Sequence, residues 1–208
     1  LDTSSTQTVN AAGITTITGA ATDINAVYAA GTAGTISGLG DETVTLTDTS
    51  IKASTLNTLN TNTTGNVDAS AVKTITGSVA EVNTVYATAG VSGGGDEAVT
   101  ITDTTIVASD LNTLDGNTTG SINASSLKTV TGTGTDALTA FESAGISGLV
   151  FDASSYIAGY SDLMAAFSSD LGAARVHYFD FGVKEGRRFD AFDEASYLAS
   201  YSDLLAAF

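Results

Sequence analysis

Over residues 1–149 the apolar positions alternate between two spacings. Triplets of Thr, an aliphatic and Thr recur as Thr16-Ile17-Thr18, Thr45-Leu46-Thr47, Thr74-Ile75-Thr76, Thr100-Ile101-Thr102 and Thr129-Val130-Thr131. Period two with β-branched residues predicts a short strand, the aliphatic inward and both Thr outward. After each triplet the spacing changes to i, i+3, i+4. Ile24, Val27 and Tyr28, and later Val82, Val85 and Tyr86, fall on one face of a short helix. These helices carry a phrase with Asn between aliphatics: Asp23-Ile-Asn-Ala-Val27, Thr55-Leu-Asn-Thr-Leu59, Glu81-Val-Asn-Thr-Val85 and Asp110-Leu-Asn-Thr-Leu114. A degenerate copy follows at Asp136-Ala-Leu-Thr-Ala140. Gly31, Gly65, Gly90, Gly120 and Gly145 come next and are expected to close the helices. One coil therefore reads as strand, turn, short helix and Gly, with successive Asn residues 26–32 positions apart.

The coils are grouped in a longer period. Asp41-Glu-Thr-Val-Thr-Leu-Thr-Asp48 returns 55 residues later as Asp96-Glu-Ala-Val-Thr-Ile-Thr-Asp103. Tyr28 maps onto Tyr86 at an offset of 58, so the stretch from Tyr86 to Asp96, with Thr88–Gly90, is three residues shorter than its counterpart from Tyr28 to Asp41, with Ala30–Gly34. Fixed periods of this size belong to arrays in which each unit buries its apolar face on its neighbours. The expected fold class is α/β, a β/α solenoid with a parallel sheet on one side and helices on the other. Strands stack at ~4.8 Å and helices at ~8–10 Å, so the stack is expected to curve with its sheet on the concave side. Leu56, Leu59, Val82, Val85, Leu111 and Leu114 should be buried.

From Val150 the pattern changes, which divides the chain at 149/150. Residues 151–167 return 41 positions later as 192–208. Tyr156, Ile157, Tyr160, Leu163, Met164 and Phe167 follow helical spacing, with Asp152 or Ser154 as N-cap and Ser161-Asp162 able to start a second helix. A further helix is predicted from Leu171 to about Phe181, stopping at Gly182, before a loop at Lys184–Arg188. In the second copy, Tyr197, Leu198, Tyr201, Leu204, Leu205 and Phe208 make an apolar helix face without a partner helix, an expected interface to another copy or to adjacent repeats. The chain reads as an excerpt of a longer polypeptide.

Composition narrows the function classes. Acidic residues outnumber Lys and Arg by 23 to 7, a net charge of −16. Nucleic-acid binding needs clustered Lys and Arg, so it is excluded, as is docking on anionic membranes. No apolar run reaches the ~18 residues of a spanning helix. Cysteine is absent, which removes disulfides and thiolate chemistry.

Two family resemblances follow. The tail, with Phe-Asp-x-x-x-Tyr-[Ile/Leu]-Ala-x-Tyr-x-Asp-Leu at 151 and 192 and His177-Tyr-Phe-Asp-Phe-Gly182-Val-Lys-Glu-Gly-Arg187, resembles a short helical repeat of large secreted bacterial proteins. Those proteins often also carry calcium-binding, RTX-type glycine-rich repeats. The front, with its Leu-Asn-Thr-Leu and Val-Asp-Ala-Ser phrases, resembles Thr/Asn-rich tandem repeats of giant cell-surface proteins of cyanobacteria and related marine bacteria. The resemblances imply a secreted, cell-surface location and supply no catalytic residue.

The residues themselves offer little catalytic chemistry. His177 is the one histidine and has no Cys or second His to share a transition metal, so packing or hydrogen bonding is its expected role. Asp41-Glu42 and Asp96-Glu97 follow flexible Gly-rich backbone. They are the candidate Ca²⁺ ligands, hard oxygens on a loop, and the competing reading is a Gly-rich turn with a solvated Asp. The Asn of each helix phrase is expected to bond the backbone of the neighbouring coil. The expected function is a non-enzymatic structural segment: surface layer, filament or spacer. An adhesin recognising glycan through the concave Thr face is the alternative, and ice binding through regular Thr rows a remote one.

Overall fold

A computed structural model describes residues 7–199. The fold is α/β, with parallel sheets and alternating helices. The strands and helices follow in the order β1 (Val9–Asn10), β2 (Thr16–Gly19), α1 (Ala21–Thr32), β3 (Ile36–Ser37), β4 (Thr43–Leu46), β5 (Ser50–Lys52), α2 (Ala53–Asn62), β6 (Val67–Asp68), β7 (Thr74–Gly77) and α3 (Val79–Ala87). Then come β8 (Val91–Ser92), β9 (Ala98–Ile101), β10 (Thr105–Val107), α4 (Ala108–Asn117), β11 (Ile122–Asn123), β12 (Thr129–Thr131), α5 (Gly134–Glu142) and β13 (Ile146–Ser147). The tail holds α6 (Ala153–Ala158), α7 (Ser161–Phe167), α8 (Leu171–His177), a π turn at Tyr178–Gly182, and α9 (Glu194–Ala199).

Every Thr-aliphatic-Thr triplet lies on or at the end of a strand, but one strand per coil is too few. Coils alternate between two strands (β1-β2-α1, β6-β7-α3) and three (β3-β4-β5-α2, β8-β9-β10-α4). The extra strands are only two or three residues long, too short for alternation to stand out in the sequence. The two-strand and three-strand coils together make the 55-residue period.

By its contacts the chain forms two compact units. Of the described residues, the first holds 7–103, 113–125 and 144–147; the second holds 104–112, 126–143 and 148–199. In the first unit all strand pairs are parallel, in sheets ordered β1-β3, β2-β4-β6-β8 and β5-β7-β9-β11-β13. Paired residues mostly lie 24 apart, as in Thr74↔Ala98 and Val67↔Val91. Across α1 the step is 27, as in Thr16↔Thr43. The three additional residues lengthen the helix, since α1 has 12 residues and its repeat equivalent α3 has nine.

Because the ladder step is shorter than the mean coil, the pairing slips. Ile17 meets Val44, which meets Val67, although the repeat equivalent of Ile17 is Ile75. A full sheet consequently runs through different members of the repeat. In β5-β7-β9-β11-β13 these are the third strand of a three-strand coil, two second strands, then two first strands.

The inward residues form the core of this unit. Val44, Leu56, Leu59, Val67, Val72, Val79, Val82 and Leu114 are fully buried, with Ile75 and Ile101 no more than 1% exposed. Thr74 and Thr100 point to solvent. Carboxylates in the turns after β4 and β9 tie each coil to the helix of the coil before it. The Ala21 N–H donates to Asp48 Oδ2 and the Val79 N–H to Asp103 Oδ2, both at 2.8 Å, placing a negative charge at each helix N-terminus.

Gly65 and Gly120 were expected to end helices. They do not adopt the left-handed conformation, and they serve close approach instead. A Cβ at Gly65 would collide with the Glu42 carbonyl, and one at Gly120 with the Glu97 carbonyl.

The second unit pairs β10 with β12 in parallel and packs α5 against the π turn and two Phe residues of the tail around Phe141. That ring contacts Phe151, Tyr178, Phe179 and Phe189 at centroid distances of 5.3–6.5 Å. Arg188 forms an antiparallel bridge with Thr129 on β12. Asp152 is the N-cap of α6, accepting from the Ser154 and Ser155 N–H groups. α7 opens at Ser161 with Tyr160 as N-cap and no side-chain cap, and the predicted 171–181 helix is realised as α8 plus the π turn. Tyr178 is fully buried, and its hydroxyl finds no hydrogen-bond partner among the described residues. Burial raises its pKa. Tyr178→Phe removes an unsatisfied polar atom at constant shape, so stability should stay level or rise by about 1 kcal/mol in chemical denaturation. A loss of that size would reveal a bonded hydroxyl.

Candidate functional site

The Gly-rich turns before β4 and β9 are the chemically richest part of the repeat. Strand alternation sends adjacent side chains to opposite faces, and this splits each acidic pair. Glu42 is fully buried and Glu97 is 1% exposed, whereas Asp41 and Asp96 face solvent. Asp96 lies 3.9 Å from the Lys73 ammonium. The four carboxylates named as calcium ligands are therefore not brought together. Among the described residues no group of three or more His, Cys, Asp or Glu could hold a metal ion.

Each buried Glu is a latch between turn and helix. Glu42 Oε2 accepts from the Tyr28 hydroxyl at 3.0 Å and from the Gly40 N–H at 2.9 Å. Glu97 Oε2 accepts from the Tyr86 hydroxyl at 3.1 Å and from the Gly95 N–H at 2.7 Å. The Thr63 and Thr118 hydroxyls donate to the backbone carbonyls of the same two Glu residues, at 2.7 and 3.0 Å. Gly40 and Gly95 sit at φ of 129° and 119°, a left-handed region that favours glycine. Beside Glu97 lies a cavity of about 110 Å³ lined by Tyr86, Gly93 and Leu56. The second carboxylate oxygen of Glu42, Oε1, is buried without a hydrogen-bond partner among the described residues.

Burial pushes the Tyr28 phenol up to about 12, reinforced by the Glu42 carboxylate beside it. Burial likewise raises Tyr86, next to Glu97. A raised folded-state pKa contributes stability that is fully present below the unfolded value of 10.0 and is lost as pH climbs through about 12. The unfolding midpoint in denaturant should therefore hold below pH 10 and fall above it, with tyrosinate absorbance appearing alongside unfolding.

The Asn of the helix phrase makes the expected ladder. Asn25 Nδ2 donates to the Thr55 carbonyl at 3.1 Å, Asn57 to Glu81 at 2.9 Å and Asn112 to Asp136 at 2.9 Å. Sequence reasoning missed a second layer, in which Asn62 Nδ2 bonds Asn25 Oδ1 and Asn117 Nδ2 bonds Asn83 Oδ1. The recurrence of Asn at the ends of α2 and α4 was the available signal.

The outward strand positions are mixed. One ladder line runs Thr18, Thr45, Asp68, Ser92; another runs Lys52, Thr76, Thr100, Asn123, Ser147. Thr stands next to Thr for only two strands in each, so these lines lack the long regular Thr row that an ice-binding surface requires.

In the tail, His177 Nδ1 lies 3.0 Å from the Tyr156 hydroxyl, and the ring packs against Phe167 and Phe181. Arg187 grips Asp162 through two nitrogens at 3.1 and 2.8 Å and lies over the Tyr160 ring. Tyr197 is 46% exposed, whereas its repeat equivalent Tyr156 is fully buried. The rest of the predicted interface, Tyr201, Leu204, Leu205, Phe208 and the Leu198 side chain, lies outside the described residues. No helix among the described residues is long and apolar enough to cross a membrane. Compared with protein-family models, curated proteins and solved structures, the chain matches none.

Proposed function

We propose that this chain is a non-enzymatic structural segment of a secreted, cell-surface repeat protein, in which its coils stack as a curved β/α solenoid followed by a helical repeat tail. One observation carries the reading. Several polar residues that recur with the repeat are spent on holding coils together or closing their turns. Asn25, Asn57 and Asn112 bond the next coil's backbone, Asp48 and Asp103 cap the previous coil's helices, and Glu42 and Glu97 latch their turns. A scaffold uses its repeated polar groups in this way, and each unit then depends on its neighbours. Adjacent repeats or further copies of the chain are the natural partners.

The test is placement on the cell. Antibodies against the folded segment should label intact cells of the source organism, and external protease should remove the label. Signal that appears only after permeabilisation overturns the reading.

A further inference from the structure

The two-strand coil occurs twice in the first unit, and its two copies differ in burial. In the second copy Val67 and Val72 are fully buried and Ile75 is 1% exposed. Their equivalents are Val9 and Ile17, both only half-buried, and Ile14, which is 47% exposed. What covers the second copy is the three-strand coil before it. β4 pairs with β6, β5 pairs with β7, and Asn57 of α2 donates to the Glu81 carbonyl of α3. Nothing comparable covers the first copy among the described residues. Among the described residues β2 is the outer strand of β2-β4-β6-β8, and β1 pairs only with β3.

The sheet order among the described residues shows which kind of strand would pair with β2. The five-stranded sheet β5-β7-β9-β11-β13 begins with the third strand of a three-strand coil. The sheet β2-β4-β6-β8 has the next four kinds of strand in the same order and, among the described residues, no such leading strand. The sheet β1-β3 likewise holds only its last two kinds.

We propose that the face formed by β1, β2, Ile14 and α1 is a docking site for a three-strand coil of this same repeat, with the pattern of Gly34–Asn66. Its third strand pairs in parallel with β2, its second strand pairs with β1, and its Asn-bearing helix lies against α1. The proposal rests on the scaffold reading and makes it specific. A head-to-head dimer through two copies of the β2 edge is the competing occupant. It would be antiparallel and would not reproduce the contacts seen on Val67, Val72 and Ile75.

The experiment grafts a duplicate of residues 34–66 directly ahead of Val9, so that the junction repeats the natural Asn66–Val67 join. Docking should raise the thermal midpoint by roughly 5 °C or more and keep a single transition, and should increase the denaturant m-value through the extra buried surface. Ile14→Asp should be nearly silent in the parent chain and should abolish that gain in the graft. A separate low-temperature transition, or an Ile14→Asp effect equal in both proteins, overturns the proposal. So does a parent dimer in sedimentation that Ile14→Asp dissociates, because the occupant is then a second copy. Each of these outcomes leaves the cell-labelling result untouched, so failure here and failure of the scaffold reading are separable.

Discussion

Leu56→Ala and Leu111→Ala should each lower the unfolding free energy by about 2–5 kcal/mol through lost transfer energy and the cavity left behind. Both side chains are fully buried, and they occupy the same place in the 55-residue period. The stronger form of the prediction is that their costs are similar, because each sits in the Leu-Asn-Thr-Leu phrase of a three-strand coil with a bonded Asn beside it. Ile14→Ala is the internal control. That residue has the chemistry of a core position but is 47% exposed, so its truncation should cost well under 1 kcal/mol, in the range of ordinary surface changes. Equilibrium urea denaturation of the three variants decides the matter. A cost at Ile14 matching that at Leu56 would mean that the end face is already covered in solution.

That contrast bears on how far the sequence is readable. Period-two triplets and i, i+3, i+4 spacing placed the longer strands and the helices, because each pattern reports which side of one element is apolar. Asn between aliphatics announced the inter-coil ladder, since a polar group recurring on a buried stripe must find a partner. Pairing slip was not legible. It depends on the ladder step of 24 between strands such as Thr74 and Ala98, a non-local quantity that no window of sequence contains. The two-residue strands were invisible for a related reason: Val67-Asp68 holds its place through neighbours on both sides and not through its own pattern. Gly65 and Gly120 show a third limit. A glycine needed for close approach to a carbonyl looks in sequence like one that ends a helix.

The acidic turns carry two readings, calcium ligand and latch, that one experiment separates. Asp41-Glu42 and Asp96-Glu97 look like loop ligands for Ca²⁺, but they lead into β4 and β9, where strand alternation turns each Glu inward. Glu97→Ala would leave the Tyr86 hydroxyl and the Gly95 N–H without their acceptor. Hydrogen bonds to a charged group contribute about 1.5–3 kcal/mol each, so the loss should be about 3 kcal/mol or more. Glu97→Gln keeps an acceptor oxygen in place and should cost considerably less. Glu42→Ala should behave like Glu97→Ala, because Tyr28 and Gly40 repeat the same geometry. A latch and a metal site separate cleanly under chelation. If Glu97 is a latch, EDTA leaves the wild-type thermal midpoint where it was, and added Ca²⁺ does not rescue Glu97→Ala. A midpoint that falls in EDTA and recovers with Ca²⁺ in the wild type, with both responses lost in Glu97→Gln, would restore calcium to this turn and remove the latch as a sufficient account of why a carboxylate is buried there.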